Sequence, residues 1–241
     1  MLAASPVAPS PLVTDAREQM IEHQVRAWAV LDARVLSTLR AVPREQFVPA
    51  GLSYLAFADT DVPLPRGQHM LRPNVVGRLL QSLELTGTER VLEVGTGSGY
   101  VTACLAALAS RVKSLELFEQ LADLSRSNLA AAGVRNVDVV TADAMQDGAQ
   151  QTEASLQSGP AGTPGDRFDA IAVTGSLPVY DDRFQRQLAI GGRLFVIVGD
   201  APVMDARLVR RVSEDGWVTD SLFETVVAPL QNARRTPGFA F

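Results

Sequence analysis

A glycine-rich turn is the stretch whose residues are best suited to hold a ligand. In VLEVGTGSGY, residues 91–100, an apolar run ends at Val94 and is followed by Gly95, Gly97 and Gly99. Glycines at a strand–turn–helix junction let the backbone turn tightly and let a ligand approach the main chain. In an open α/β sheet, that ligand lies outside the carboxyl end of the strand. The spacing therefore predicts a cofactor site at this turn.

The spacing argues against the two commonest phosphate-binding turns. The dinucleotide fingerprint is G-x-G-x-x-G, but Tyr100 occupies the place of its last glycine, and no Lys-Ser or Lys-Thr pair follows as in a P-loop. Glu93, two residues before Gly95, is unfavourable beside a pyrophosphate and favourable beside a cation. S-adenosylmethionine (SAM) carries a sulfonium and an ammonium, so it fits this turn better than NAD does.

Two acids at predicted strand ends extend the site. Glu116 lies near the end of VKSLEL, where a carboxylate can accept both ribose hydroxyls. NAD would need the same acid, and a solvated strand end is the plain alternative, so Glu116 alone does not discriminate. Asp143, in VVTADA at the end of the third strand, is a candidate for the adenine edge. Glu93, the glycine turn and these two acids together favour a SAM site.

A second stretch, GQHMLRPN at residues 67–74, fits neither helical nor strand periodicity. Pro73 suits the first turn of a helix, and the residues before it are free to form one wall of a site. The imidazole of His69 is of the type that acts as a general base, although it can equally face solvent. Arg72 can bind a carboxylate bidentately, or remain a solvated side chain.

The composition limits the class of protein. The chain has 241 residues, 46% of them hydrophobic, and a net charge of −5, which gives no electrostatic footprint for nucleic acid or for an anionic membrane. The single cysteine, Cys104, excludes an internal disulfide and a cysteine-based zinc site; we expect no metal. No apolar run approaches the length of a membrane span, and the first residues lack the basic region of a signal peptide. We expect a cytoplasmic monomer.

The chain divides into four predicted parts. Residues 1–14 form a flexible leader, 15–88 a helical and irregular part, 89–230 the ligand-binding sheet of the same domain, and 231–241 a tail. Residues 146–166, rich in Gly, Gln and Ala, are predicted as a surface loop.

The predicted fold class is α/β. Helices are predicted to begin at Asp15 and after Asp32, the second ending at Pro43, and to follow Pro73. From residue 90 short apolar runs alternate with helical stretches, including one near 181–189, which predicts a mostly parallel Rossmann-like sheet with helices on both faces. The runs ARLVRRV and WVTDSLFETVV, separated by SEDG, predict a C-terminal antiparallel hairpin.

With these motifs the chain resembles the protein-L-isoaspartate O-methyltransferases. The resemblance extends from about residue 18 to residue 230 and rests on PREQFVP, on GQ-x-x-x-x-P, on VLEVGTGSGY, on FDAIAVTGSLP and on VVAPL. It implies a SAM-binding sheet and methylation of the carboxylate of isoaspartyl residues in damaged proteins or peptides. The cofactor contacts that it implies are Glu93, Gly95, Thr96, Gly97, Ser98, Gly99, Glu116, Asp143 and Ala144. The substrate contacts that it implies are Asp59, Gln68 and Thr174.

The chain departs from the family at the acceptor. The family reads Gly-Gln-Thr-Ile-Ser-x-Pro, and here His69, Met70 and Leu71 replace Thr-Ile-Ser, so that an apolar side chain occupies the place of the active-site serine. Arg72 fills the variable place before Pro73. His69, Leu71 and Arg72 are therefore the candidate residues of the methyl-transfer site, and the acceptor is the part of the function that the resemblance leaves open.

Three readings compete for that acceptor. An isoaspartyl carboxylate is already ionised at neutral pH and needs no general base, so loss of one hydroxyl at Leu71 need not abolish the reaction. A different acceptor, a phenol or an alcohol, must lose a proton, for which His69 is the suitable neighbour. In the third reading, the chain is a non-catalytic SAM-binding module. An NAD-dependent oxidoreductase is disfavoured by Tyr100 and Glu93.

Overall fold

A seven-stranded sheet forms the centre of the protein. The computed structural model describes residues 11–146 and 167–235, so the leader up to residue 10, most of the predicted 146–166 loop and the tail beyond 235 lie outside the described residues. The spatial order of the strands is β5-β4-β3-β6-β7-β8-β9. The strands are β3 Arg90–Val94, β4 Arg111–Glu116, β5 Val137–Thr141, β6 Phe168–Leu177, β7 Leu188–Asp200, β8 Val203–Arg211 and β9 Trp217–Thr225. A separate two-stranded ribbon pairs β1 Val62–Pro63 with β2 His69–Met70.

Strands β5, β4, β3, β6 and β7 are parallel, and β8 runs antiparallel to both β7 and β9. The predicted mostly parallel sheet and its C-terminal hairpin are thus confirmed. The strand order changes direction at β3, which pairs with β4 on one side and β6 on the other. Ligands of open α/β sheets bind at such a switch point, above the carboxyl ends of the strands.

Among the described residues, three α-helices precede the sheet. They are α1 Pro11–Met20, which continues through a π turn to Val25, α2 Ala33–Ala41 and α3 Pro73–Ser82. The Asp32 carboxylate caps α2 by accepting from the backbone N–H groups of Arg34 and Val35, at 2.7 and 3.2 Å. The predicted start of α1 at Asp15 was wrong. Residues 11–14 already belong to the helix and not to a leader.

The helices pack on one face of the sheet. Helices α4 Tyr100–Leu108 and α5 Glu119–Ala131 cross over between the first strands, and residues of α1 to α5 share one core with Val91, Ala172 and Phe195. On the other face, Leu92, Ile171 and Val196 pack with Met145 and Phe184, which lie in turns. In the described part of the chain, the second face therefore has no α-helix of its own.

The predicted helix near 181–189 was wrong. Residues Gln185–Gln187 form a single 3₁₀ turn, and β7 already begins at Leu188. Phe184 and Leu188 are buried, so their spacing matched one helical turn although they belong to a turn and a strand. Among residues 11–146 and 167–235, no helix has the length and apolarity needed to span a membrane.

Candidate cofactor and acceptor site

A cavity of about 480 Å³ lies at the carboxyl ends of β3 and β4. We call two parts of its wall by name. The cofactor side comprises the glycine turn 95–99, Glu116 and the segment 142–145; the acceptor side comprises residues 59–73 with the ribbon β1–β2. Of the predicted site residues, those that line the cavity are Gln68, His69, Leu71, Gly95, Gly97, Glu116, Asp143, Ala144 and Thr174.

The glycine turn approaches its neighbours too closely for side chains. Gly95 has φ +94°, and a Cβ there would lie 2.5 Å from Thr174 Oγ1. Thr174 in turn donates from that hydroxyl to the carbonyls of Val94 or Gly95, at 2.9 and 2.7 Å. Gly97, at φ +56°, would bring a Cβ within 3.2 Å of Leu64. The left-handed backbone therefore favours glycine at both positions, and at Gly95 a Cβ would also force the Thr174 side chain to move.

Glu116 is an acid of the cavity that two backbone N–H groups hold in place. Its Oε2 accepts from the backbone N–H of Gly97 at 2.9 Å, and its Oε1 accepts from the N–H of Phe118 at 3.1 Å. The side chain is nearly buried but still lines the cavity. Because a carboxylate has about four lone-pair sites, each oxygen keeps one free for a ligand hydroxyl.

Glu93 does not line the cavity, although the sequence placed it with the cofactor contacts. Its carboxylate lies below the turn at 0% exposure, where Oε2 accepts from Thr102 Oγ1 at 2.5 Å and from Ser114 Oγ at 2.6 Å. Burial, with a smaller contribution from the nearby charge of Glu116, raises the pKa of Glu93 to about 8, although the hydrogen bonds from Ser114 and Thr102 act to lower it. Glu93 supports the turn from beneath, and its direct contact with a ligand stays a prediction that the geometry does not favour.

Three further predicted contacts of the turn also point away from the cavity. The Thr96 hydroxyl shares a 2.6 Å hydrogen bond with Ser114, and the Ser98 carbonyl accepts from the Asn128 side chain at 2.9 Å. Gly99, at φ +87°, would bring a Cβ within 3.3 Å of Ser125. These residues fix the turn against β4 and α5, which holds the backbone of Gly95 and Gly97 in place.

Asp143 closes the far end of the cofactor side. Its Oδ1 accepts from the backbone N–H of Met145 at 2.8 Å, and its Oδ2 accepts from the side chain of Asn232 at 2.8 Å. Ala144 and Met145 beside it are buried and apolar. A fixed acid next to apolar walls can receive the amino edge of a flat heterocycle. Asn232 was missed, because no local pattern links it to a residue so far away in the chain.

The C-terminal segment 226–231 forms the wall between the two sides. Ser176 donates from its N–H to the Ala228 carbonyl at 3.0 Å, and its own carbonyl accepts from the N–H of Leu230 at 2.9 Å. A Cβ at Gly175 would meet the Leu230 side chain at 2.7 Å. The segment thus lies across the end of β6 like a short extra strand.

The acceptor side is built on a very small scaffold. His69 pairs with Pro63 and Met70 with Val62 in the ribbon β1–β2, and the His69 side chain is exposed at the cavity. Leu71 is 8% exposed and presents an apolar side chain to the cavity. The site therefore offers the imidazole of His69. At the position equivalent to the family serine, it offers the apolar side chain of Leu71 instead of a hydroxyl.

Arg72 lies at the rim rather than in the cavity wall. Its Nε lies 3.5 Å from Asp61 Oδ1, and its Nη2 donates to the carbonyl of Val226 at 3.3 Å. Asp61 and Val226 both line the cavity. Asp59, the acid predicted to contact substrate, is exposed and does not line it. Asp61 lies next to β1, and only the pairing of β1 with β2 reveals that it faces Arg72.

Arg44 is a second residue that sequence reasoning did not single out. It is fully buried, donates from Nε to the Ala56 carbonyl at 2.9 Å and from Nη2 to the Leu71 carbonyl at 2.9 Å, and its guanidinium lies over the Tyr100 ring. Burial lowers the pKa of Arg44, partly offset by Tyr100, Cys104 and Asp61. Arg44 lies in PREQFVP, one of the segments that carry the family resemblance, and this was the sequence signal that could have identified it. Arg44 fixes the backbone of Leu71 relative to the helix that follows the glycine turn.

Comparison with known proteins agrees with this geometry. A family model described as protein-L-isoaspartate(D-aspartate) O-methyltransferase matches residues 15–235. A protein-L-isoaspartate O-methyltransferase of Methanoculleus marisnigri is 40% identical over 84% of this chain and 84% of its own length. Protein-L-isoaspartate O-methyltransferase 1 of Rhodopseudomonas palustris is 38% identical over 95% of this chain and 91% of its own.

A solved structure shares the fold. A crystal structure from Plasmodium falciparum, assigned to a protein-L-isoaspartate O-methyltransferase in complex with S-adenosyl-L-homocysteine, superposes with a TM-score of 0.72 at 20% identity. The match covers 90% of this chain and 97% of that one. At that identity, the likeness concerns the fold alone. On the family match and the identity to its relatives, the chain belongs to the protein-L-isoaspartate(D-aspartate) O-methyltransferase family.

Proposed function

We propose that the protein is a SAM-dependent methyltransferase that methylates the carboxylate of isoaspartyl residues in proteins or peptides. The observation that carries the proposal is the cavity itself: its cofactor side carries the anchored acid Glu116, and its acceptor side opens beside it. Family membership over residues 15–235 supports the same assignment.

The cofactor side suits the adenosine end of SAM. A cavity of about 480 Å³ lies within the range of small-molecule sites. Glu116 has free lone pairs for two ribose hydroxyls, Asp143 can accept from an amino group, and Phe118 and Met145 supply apolar walls. The related Plasmodium falciparum structure holds S-adenosyl-L-homocysteine, the demethylated form of the same cofactor.

The proposed reaction needs orientation more than acid–base catalysis. Bound SAM supplies an electrophilic methyl group: a carboxylate oxygen forms a bond to its carbon, and the S–CH₃ bond breaks with its electron pair going to sulfur. A negative and a positive charge thereby become a neutral ester and a neutral thioether. A site that aligns the two and excludes water contributes most of the rate. The apolar Leu71 and the absence of a hydroxyl there are compatible with this chemistry.

Methyl labelling of a peptide pair tests the proposal. The protein is incubated with SAM labelled in the methyl group and with an isoaspartyl peptide or its aspartyl twin. We expect label only with the isoaspartyl peptide, in a form that releases methanol in mild base, because carboxyl methyl esters hydrolyse there. Equal labelling of both peptides, or none, would contradict the proposed acceptor.

One observation favours a second candidate, an alcohol or phenol acceptor. The His69 imidazole is exposed at the cavity wall, where it can take a proton from a hydroxyl. The variant His69→Gln separates the two readings. For an isoaspartyl carboxylate, we expect the labelling rate to change less than about threefold, since no proton is transferred; for a hydroxyl acceptor, a general base contributes about 10²–10⁴-fold. Binding of SAM with no labelled acceptor of either class would favour a non-catalytic module.

A further inference from the structure

A charge pair closes the rim of the acceptor side. The Arg72 guanidinium lies 3.5 Å from the Asp61 carboxylate, and it also donates to the Val226 carbonyl at 3.3 Å. The side chains of Arg72 and Asp61 are each about one-third exposed, at 32% and 34%. Asp61 and Val226 both line the cavity. Arg72 is therefore within reach of a carboxylate that enters the acceptor side, but its charge is already partnered.

A free arginine at this rim would slow the transfer to a carboxylate. An arginine binds a carboxylate strongly, often with two parallel hydrogen bonds. The acceptor carboxylate loses its negative charge as the new bond forms, so that the attraction is weaker in the transition state than in the ground state. Interactions of that kind lower KM without raising kcat/KM, and they lower kcat.

We propose that Asp61 is a specificity-determining residue that holds Arg72 away from the acceptor carboxylate. The inference rests on the proposed isoaspartyl carboxyl methylation. In this arrangement, the pair carries no net charge. Arg72 connects the ribbon β1–β2 to the segment 226–231, and Asp61 keeps the positive charge of Arg72 from binding the acceptor carboxylate.

The charge balance at the rim makes the assignment testable. Removal of Asp61 leaves a cation facing the acceptor side, and removal of Arg72 leaves an anion there. Removal of both restores neutrality. A role limited to fastening the two walls predicts instead that each single variant loosens the site in the same direction, because each breaks the same contact.

The experiment compares Asp61→Asn, Arg72→Gln and the double variant, each assayed for kcat and KM with an isoaspartyl peptide. Peptide affinity is measured in parallel by fluorescence anisotropy in the presence of S-adenosylhomocysteine, which requires no turnover. Asp215→Asn removes the same charge from the exposed β8–β9 turn and serves as the control.

We expect Asp61→Asn to lower KM and the peptide dissociation constant about tenfold and to lower kcat by a similar factor, which corresponds to one charge-assisted hydrogen bond. Arg72→Gln should raise KM about tenfold through repulsion between Asp61 and the acceptor. The double variant should return KM to near the wild-type value. If Asp61→Asn instead raises KM as Arg72→Gln does, or matches the control, the inference is overturned while the proposed function stands.

Different results would overturn the proposed function and the proposed role of Asp61. If the wild-type protein labels no isoaspartyl peptide, the proposed function is overturned, and this inference with it. If the wild type labels the peptide but the kinetic constants of Asp61→Asn are unchanged, only the role of Asp61 is overturned.

Discussion

The cofactor side and the acceptor side of one cavity are held in different ways. On the cofactor side, the glycine turn is fixed by parallel strands, by α5 and by the carboxylates of Glu93 and Glu116. On the acceptor side, a ribbon of two-residue strands depends on Arg44 beneath it and on Arg72 at its rim. Regular secondary structure thus fixes the part that we propose binds the cofactor. A few long side chains fix the part that we propose selects the acceptor, so single substitutions can change that part.

The largest effect should come from loss of the anchor on the cofactor side. Glu116→Ala removes the acceptor of the Gly97 and Phe118 N–H groups together with the lone pairs offered to the ribose. Because hydrogen bonds to a charged group contribute about 1.5–3 kcal/mol each, we expect S-adenosylhomocysteine to bind about 100-fold more weakly by isothermal titration calorimetry. Glu119→Ala, on the exposed start of α5, is the control. If the two variants bind S-adenosylhomocysteine with equal affinity, Glu116 does not contribute to the cofactor site.

The next effect tests whether the glycine turn is selected for space or for backbone conformation. Gly95→Ala adds a Cβ that lies 2.5 Å from Thr174 Oγ1 at φ +94°, whereas Gly133→Ala adds one at φ +73° with no atom within 4 Å. Both should lose about 1–2 kcal/mol of unfolding free energy through the left-handed backbone. Gly95→Ala should lose more, and should also bind the cofactor about tenfold more weakly. If both variants have the same stability in denaturant unfolding, the close approach of Thr174 to position 95 does not contribute to the choice of glycine there.

A smaller effect should appear on the acceptor side alone. Leu71→Ser places a hydroxyl at the cavity wall, where it can donate to the acceptor carboxylate; Leu71→Ala removes a similar volume without it. We expect the KM of Leu71→Ser for an isoaspartyl peptide to be up to about tenfold lower than that of Leu71→Ala, the contribution of one charge-assisted hydrogen bond to the bound carboxylate, with kcat lower by a similar factor. Cofactor affinity should be the same in both. No difference between the two variants would indicate that the acceptor is not bound beside residue 71.

The last effect is confined to the pH dependence of stability and belongs to the cofactor side. Burial raises the pKa of Glu93 from its ordinary 4.5 to about 8. The folded state therefore keeps a proton that the unfolded chain releases, so this contribution to stability is complete below pH 4.5 and is lost as the pH rises through 8. Glu93→Gln keeps an oxygen acceptor for Thr102 and Ser114 and cannot ionise. Its Tm should fall several degrees less than that of the wild type between pH 5.5 and 8.5, at about 2–4 °C per kcal/mol. Parallel Tm curves would contradict the raised pKa.

The residues of the cofactor side could be predicted because the sequence patterns that indicate them are local. The glycine turn, Glu116 and Asp143 each follow an apolar run, and parallel strands bring their carboxyl ends together without further information. The helix predicted near 181–189 failed for a local reason too: the spacing of two buried residues fits a helical turn, and it also fits a turn that enters a strand.

The rest could not be predicted, because it depends on contacts between distant segments. Asn232 reaches Asp143 only once the segment 226–231 lies against β6, and Arg72 meets Asp61 only across the ribbon. The position of Glu93 on its strand was predicted correctly, but the burial of its side chain could not be predicted from the sequence. Its side chain points under the turn towards Ser114, because the two residues are paired on adjacent strands.

The segment 226–231 has a consequence for the way the chain is made. It contributes one whole wall of the cavity, and Asn232 follows it with the contact to Asp143. A ribosome synthesises these residues after the entire sheet. A nascent chain can therefore pair all its strands while its cofactor pocket still lacks a side, so the full pocket forms only after the residues that follow β9 have been added. A chain that ended directly after β9 would have the complete sheet and an incomplete pocket.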